Sequence, residues 1–282
     1  MTPMRVATLE IDILTGAVDA NLAAVMAGVR AAAEAGAQLV AVPEMWPTSF
    51  VPGASAQDLR ESVAAVESLA QLAGELGIVV VGSAFGPVGG EAPLPSNRAH
   101  VLGEGRVLAF HDKVHLFSPT AEHLAFRAGD DPPPVVELPG SDVRLAPIIC
   151  YDLRFPEVAR AAFRRGAEIL VVVAQWPESR APHWRALLRG RAAELEGFVV
   201  ASNRIGTAEI GRRRMKLNFV GDAAVVGPGG EDVPRTLAST IGRGGSRLSV
   251  HEIDVEEARA LRRAVPVLRD DRPELFPGWI GS

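Results

Sequence analysis

The sequence predicts an α/β fold: one domain built on a mixed sheet or on two stacked sheets, with helices outside. Three observations carry this. Apolar runs of strand character alternate with amphipathic stretches of helical period along most of the 282 residues. Hairpin signals sit in the middle of that alternation. No internal repeat, low-complexity tract or linker divides the chain.

The elements follow in order. Residues 5–11 read as the first strand. Residues 21–35 have helical period, and Gly36 is placed to close that helix. Residues 38–42 are short and apolar and run straight into Pro43 and Glu44. A second helix covers 62–76 and stops at Gly77, and the buried strand 78–85 follows, with Ile-Val-Val-Val at its start. Residues 98–102 and 106–110 flank Gly103-Glu104-Gly105, a hairpin signal. The stretch 114–134 is rich in Pro, Asp and Gly and is expected to be irregular; loops of that length are often functional. Residues 143–150 read as a strand, and 156–165 as a helix opening on Pro156 and closing at Gly166. A strand at 168–174, a helix at 183–196 and a strand at 198–202 continue the alternation. Residues 219–226 and 249–253 add strands around the Pro228-Gly229-Gly230 turn. The domain is expected to span residues 1–263. Residues 264–282, with Pro, Arg and Trp279, are expected to form an extended C-terminal tail.

Composition narrows the function. Hydrophobic residues make up 48% and charged residues 22%, an ordinary globular balance. The net charge of -5 supplies no basic face for phosphates, so nucleic acid is not expected as a partner. No apolar stretch of about 18 residues and no secretory leader pattern is found, so no membrane association and a cytoplasmic location are expected. The single cysteine, Cys150, excludes an internal disulfide and a zinc cluster.

Three chemistry-bearing residues sit at strand ends. Glu44 follows one buried strand, Lys113 follows a hairpin strand, and Cys150 ends an apolar strand. In layered α/β folds such positions project into the crevice where ligands bind. Taken singly, Glu44 also reads as a loop cap, Lys113 as a solvated charge and Cys150 as a small core residue. Together they fit amide cleavage. A carboxylate takes the thiol proton as general base and returns it to the leaving nitrogen. An ammonium, with a backbone N–H beyond the nucleophile, stabilises the oxyanion. The helix expected after Cys150 would favour thiolate through its N-terminal partial charge.

The flanking residues are specific. Val42-Pro43-Glu44-Met45-Trp46, His111-Asp112-Lys113-Val114-His115-Leu116-Phe117 and Cys150-Tyr151-Asp152-Leu153-Arg154-Phe155-Pro156-Glu157 resemble the three catalytic motifs of the nitrilase superfamily of carbon–nitrogen hydrolases, in its order and at comparable spacings. Ala174-Gln175-Trp176-Pro177 with Arg180, Asn203-Arg204-Ile205-Gly206 and Gly221-Asp222 resemble later landmarks, so the resemblance runs from about residue 5 to 253. It implies an α-β-β-α sandwich that pairs with a second subunit through its helices, giving a homodimer or larger homo-oligomer. It also implies a Glu44–Lys113–Cys150 triad acting through a thioester, with Glu122 helping to position the lysine and the substrate. No cofactor and no metal are expected.

Within the superfamily the sequence is similar to the omega-amidase branch, which hydrolyses 2-oxo dicarboxylic monoamides such as 2-oxoglutaramate. Pro43-Glu44-Met45-Trp46 with Ser49-Phe50, Glu122-His123, Gly129-Asp130 and Gln175-Trp176-Pro177 with Arg180 carry that likeness. A substrate with a far carboxylate needs a cation. Arg180 is the candidate anchor; Arg154 is expected instead in a structural ion pair. Phe117, Tyr151, Trp176 and Arg154 itself are further candidate substrate contacts. Leu195, Glu196 and Ala223 stand where the family usually has Asn, Gln and Ser. Arg212-Arg213-Arg214-Met215-Lys216 reads either as a solvated loop or as an entrance that favours anions. Another amidase activity, on N-carbamoyl amino acids or peptide-like amides, and a non-catalytic binding scaffold are the alternatives; a nitrilase proper fits the Cys150 motif less well.

Other signals are rejected. His111 and His115 lie in a strand and its exit, where about 3.3 Å per residue puts them about 13 Å apart, too far to share a metal. Gly86–Gly90, Gly227–Gly230 and Gly242–Gly245 lack the strand–GxGxxG–helix context of a dinucleotide site, and no GxSxG elbow occurs.

Overall fold

A computed structural model describes residues 3–51, 53–88, 94–211, 214–241 and 245–275. The first half runs β1 (Met4–Glu10), α1 (Val18–Glu34), β2 (Leu39–Ala41), α2 (Ala56–Leu76), β3 (Val79–Phe85), β4 (Asn97–Gly103) and β5 (Arg106–Asp112). Next come β6 (Val136–Glu137), β7 (Arg144–Ile149), α3 (Pro156–Arg164), β8 (Ile169–Ala174), α4 (Ala181–Leu195) and β9 (Phe198–Asn203). The chain continues through β10 (Ile205–Ile210), β11 (Met215–Val220), β12 (Ala224–Val226), β13 (Arg235–Ile241), β14 (Ser246–Ile253), α5 (Val255–Ala264) and α6 (Val267–Asp270).

The strands form a seven-stranded sheet, β13-β14-β1-β2-β3-β4-β5, a five-stranded sheet, β12-β9-β8-β7-β6, and the separate hairpin β10-β11. The apolar runs of the central strands are continuous because both faces are covered. On β8, Ile169, Val171 and Val173 meet the other sheet, whereas Leu170, Val172 and Ala174 meet helices. On β3, Val79 and Val81 face the sheet interface and Val80 faces the layer of α1 and α2. Two sheets with helices outside each make the expected α-β-β-α sandwich.

Strand direction then fixes where the site forms. β1, β2 and β3 are parallel, and two antiparallel steps through β4 leave β5 running the same way as β3. β7, β8 and β9 are parallel in the other sheet. The segments leaving β2, β5, β7 and β8 therefore carry Glu44, Lys113, Cys150 and Gln175.

Several boundaries differ from expectation, for local reasons. α2 starts six residues early because Ser55 and Asp58 form a capping box, with Ser55 N–H donating to Asp58 Oδ2 at 2.7 Å. The Glu104-Gly105 turn has φ of 53° and 75°, as the hairpin signal requires. The strand expected at 219–226 is two strands, broken at Gly221 and Asp222, both at positive φ. β10 and β13 have no strong apolar signal, and β13 is almost wholly exposed. The basic stretch 212–216, read as a loop, ends inside a strand, since Met215 and Lys216 open β11; Arg212 and Arg213 lie outside the described residues. The tail expected to run extended instead forms α6, tied to α3 by Arg160 and Arg164 on Asp271; residues 276–282, including Trp279, lie outside the described residues. Gly89, Gly90, Gly242 and Gly244 of the expected turns also do so. No helix among the described residues is long and apolar enough to cross a membrane.

Gly82 on β3 shows how tightly the floor of the site is packed. A Cβ there would lie 2.2 Å from Val42 Cγ2 and 2.9 Å from Trp46 Cδ1, on the turn that carries Glu44. Gly82→Ala is expected to cost about 1–3 kcal/mol in urea unfolding, as overpacking does. An unchanged midpoint would contradict this packing.

Candidate active site

Pro43 breaks the run of β2. The chain then turns through Met45 and Ser49, both at positive φ, and leaves Glu44 1% exposed between the two sheets. The Gln175 backbone N–H donates to Glu44 Oε2 at 2.9 Å, and its side-chain amide donates to the Glu44 carbonyl at 2.8 Å. Asn97 Nδ2 donates to Glu44 Oε1 at 2.8 Å. Lys113 leaves β5 with its backbone N–H on the Asn97 carbonyl. Its Nζ donates to Glu44 Oε1 at 2.8 Å and to both oxygens of Glu122 at 2.9 Å. Glu122, in a single 3-10 turn, also accepts the Phe117 N–H at 2.6 Å.

Cys150 sits at the tip of β7 with φ 45°, a strained value for a side chain with a Cβ. Burial pushes its thiol well above the ordinary range, the Glu44 carboxylate adds to the rise, and the Lys113 ammonium offsets only part of it. The expected thiolate-favouring helix N-terminus is therefore a correction. A 3-10 turn, Cys150–Arg154, separates the thiol from α3, and the resting group is a neutral thiol. Lys113 goes the other way. Burial opposes its charge, but Glu122 and Glu44 outweigh it and hold the ammonium well above the usual lysine value. Glu122 is itself raised by burial, against the pull of Lys113.

A small cavity of about 40 Å³ is lined by Glu44, Lys113, Glu122 and Cys150. Its walls include all five candidate contacts, Phe117, Tyr151, Arg154, Trp176 and Arg180. Phe117 and Tyr151 meet edge to face at 5.0 Å. Among the described residues Arg154 has no ion-pair partner, contrary to expectation: its guanidinium lies 4.8 Å from the Trp176 ring and its Nη2 is 3.2 Å from His183 Nδ1. Phe50 of the first motif's turn and Ile210 and Leu217 of the β10-β11 hairpin complete the walls. The sequence gives no signal of that hairpin.

The histidines need a second correction. His111 and His115 do not diverge, because the chain leaves the strand at Lys113 and turns back. Both face the Asp152 carboxylate, His115 Nδ1 at 3.0 Å and His111 Nε2 at 3.5 Å. Among the described residues no group of three or more His, Cys, Asp or Glu could hold a metal.

Asn97 and Gln175 support the site without standing out as site residues in the sequence. Asn97 carries no motif signal; Gln175 stands in a recognised run, and only the fold reveals its bonds. Arg204, a family landmark, is fully buried and donates to Gln175 Oε1 at 3.0 Å, Ser49 Oγ at 3.1 Å and Asp12 Oδ1 at 3.1 Å. It fastens the turns that carry Glu44 and Trp176.

The sequence matches the profile of the family described as carbon–nitrogen hydrolase over residues 5–263. The chain belongs to the carbon–nitrogen hydrolases. Among relatives of this hydrolase, 2-oxoglutaramate amidase of Bacillus subtilis is 30% identical over 85% of this chain and 87% of its own. Human deaminated glutathione amidase is 33% identical over 88% and 76%. Among solved structures, an amidase of Nesterenkonia superposes with a TM-score of 0.78 at 30% identity, covering 99% of this chain and 97% of its own. That structure carries the acetamide moiety of fluoroacetamide added covalently at the active site cysteine. This hydrolase is accordingly an enzyme of the amidase kind.

The raised thiol has a measurable consequence. An unperturbed cysteine titrates near about 8.5. Here the rate of Cys150 alkylation by iodoacetamide is expected to show no levelling off between about pH 7 and 9, since the folded-state value lies above that range. A plateau with a midpoint near about 8.5 would show an ordinary thiol.

Proposed function

We propose that this hydrolase cleaves the terminal amide of small 2-oxo dicarboxylic acid monoamides, through a Glu44–Lys113–Cys150 triad and a thioester. The observation that carries the reading is the Lys113 ammonium bonded to both Glu44 and Glu122 beside the Cys150 thiol, in one cavity. Glu44 takes the Sγ proton as Sγ attacks the amide carbon. The oxyanion forms facing Lys113 Nζ and is stabilised by it. Collapse expels the nitrogen, which collects the proton from Glu44 and leaves as ammonia. A water molecule, deprotonated by Glu44, then attacks the thioester; its collapse frees the acid and restores the thiol. Glu122 positions the lysine and the substrate. The neutral resting thiol supports this order of events, because deprotonation is then coupled to attack.

The substrate class rests on the cavity wall and the relatives. Arg154 and Arg180 line the cavity, and among the described residues neither is paired with a carboxylate. A guanidinium fork suits a far carboxylate. The name of the Bacillus subtilis relative points to the same chemistry. A cytoplasmic homodimer, with no cofactor and no metal, completes the reading.

Cys150→Ala is expected to abolish ammonia release, and Glu44→Gln to lower turnover by about 10²–10⁴, the usual cost of losing a general base. Full activity in Cys150→Ala would remove the mechanism. The substrate is tested with a panel of 2-oxoglutaramate, 2-oxosuccinamate, deaminated glutathione and butyramide. Arg180→Lys and Arg154→Lys are each expected to lower kcat/KM for 2-oxoglutaramate by about 10–150-fold, a loss of about 1.5–3 kcal/mol, and to spare butyramide. Equal losses on both amides would make these arginines structural, and preference for deaminated glutathione would move the assignment to peptide-like amides.

A further inference from the structure

Asp152 lies two residues after Cys150 and is fully buried. Its Oδ1 accepts the backbone N–H of His115 at 2.9 Å and lies 3.0 Å from His115 Nδ1. Its Oδ2 accepts the Ile149 N–H at 3.4 Å and faces His111 Nε2 across 3.5 Å. His111 and His115 stand two residues on either side of Lys113, and Ile149 immediately precedes Cys150. One carboxylate therefore bonds the segment just after the lysine and the residue before the nucleophile, while His111, on the lysine's other flank, faces it without a hydrogen bond. The two segments come from different sheets, β5 and β7, and are not neighbours in any strand ladder.

We infer that Asp152 is a positioning residue: it sets the separation of Lys113 from Cys150 and holds Cys150 in its positive-φ turn. This rests on the triad reading above. A residue at φ 45° is retained only where its surroundings over-determine it. The bond from Ile149 N–H to Asp152 supplies one such restraint. His115 adds a rigid brace, its ring stacked on Phe155 at 3.5 Å between centroids and 6° between planes. Phe155 follows the same turn, so the lysine segment and the cysteine turn are joined by a carboxylate and by a ring stack. Burial disfavours the Asp152 charge, but the nearby His111 ring and the bonds from His115 outweigh it and hold the carboxyl below the usual range. The acceptor thus stays ionised at neutral pH.

Displacing a reacting group by about 1 Å costs about 10²-fold in rate. Asp152→Asn keeps the shape and one acceptor oxygen and loses the charge. Its kcat for 2-oxoglutaramate, or for butyramide if only that is hydrolysed, is expected to fall about 10²-fold per alkylatable Cys150, with KM within about twofold. His115→Ala, at a side chain 28% exposed, removes the brace without opening the core and is expected to lower kcat in the same direction. The double variant is expected to lose less than the product of the two single losses, because His115 and Asp152 share one direct contact. The rate of Cys150 alkylation is expected to change at least fivefold in Asp152→Asn. Unchanged kcat and alkylation with only a lower Tm would make Asp152 purely structural and overturn the inference, as would additive losses. If Asp152→Asn does not fold, His115→Ala decides: wild-type kcat there overturns the inference. A wild type that hydrolyses no amide in the panel defeats the amidase reading, while the alkylation rates still decide whether Asp152 sets the geometry at Cys150.

Discussion

The site depends on one buried ammonium held between two carboxylates. Each contact of Lys113, at 2.8 Å to Glu44 and 2.9 Å to Glu122, is worth about 6 kcal/mol of gross Coulomb attraction at an effective dielectric of about 20. Desolvation of three charges opposes that gain, so the arrangement is a requirement of mutual presence more than a source of stability. Losing the lysine would leave two carboxylates buried without a counter-charge, a change that typically costs about 3–5 kcal/mol. Much of the local structure satisfies the remaining lone pairs. Asn97 donates to both carboxylates, the Gln175 backbone N–H to Glu44 and the Phe117 N–H to Glu122. Three separate segments, drawn from both sheets, supply those donors.

The same charges decide the state of the nucleophile. Burial raises the Cys150 thiol most, and the excess of negative charge left by two carboxylates around one ammonium adds to the rise, so the thiol keeps its proton. Papain-like logic, in which a cation makes a resting thiolate, does not apply here. In the proposed reaction Glu44 and Cys150 therefore act together, with the oxyanion forming where Lys113 already points. A site built this way spends its electrostatic preorganisation on the charge that develops during attack rather than on the resting enzyme.

Legibility in the sequence follows the kind of signal involved. The buried strands, the existence of the first four helices and the layered class are readable because apolar periodicity is local. Glu44, Lys113, Glu122 and Cys150 are readable through ordered motifs, and the fold does bring them together. Asn97 is not, since an asparagine starting a strand looks like any other until the strand beside it is known. Extended geometry overestimates the separation of His111 from His115 because it is applied beyond Lys113, where the chain turns. Nearness to Cys150 in sequence suggests an ion pair for Arg154, whereas its partner is the face of Trp176, which comes from another strand. The β10-β11 hairpin reads as a loop because its basic residues mask the inward alternation of Ala208, Ile210 and Phe219.

The central claim is that the acyl half of the substrate becomes bonded to Cys150. Acid quench of the enzyme with 2-oxoglutaramate at times shorter than one turnover, followed by intact mass spectrometry and peptide mapping, measures this directly. The account predicts an adduct with the mass of the acyl group, confined to the peptide containing Cys150 and lost on treatment with hydroxylamine. Ammonia released at the normal rate with no adduct at any quench time, or an adduct on another residue, would contradict it.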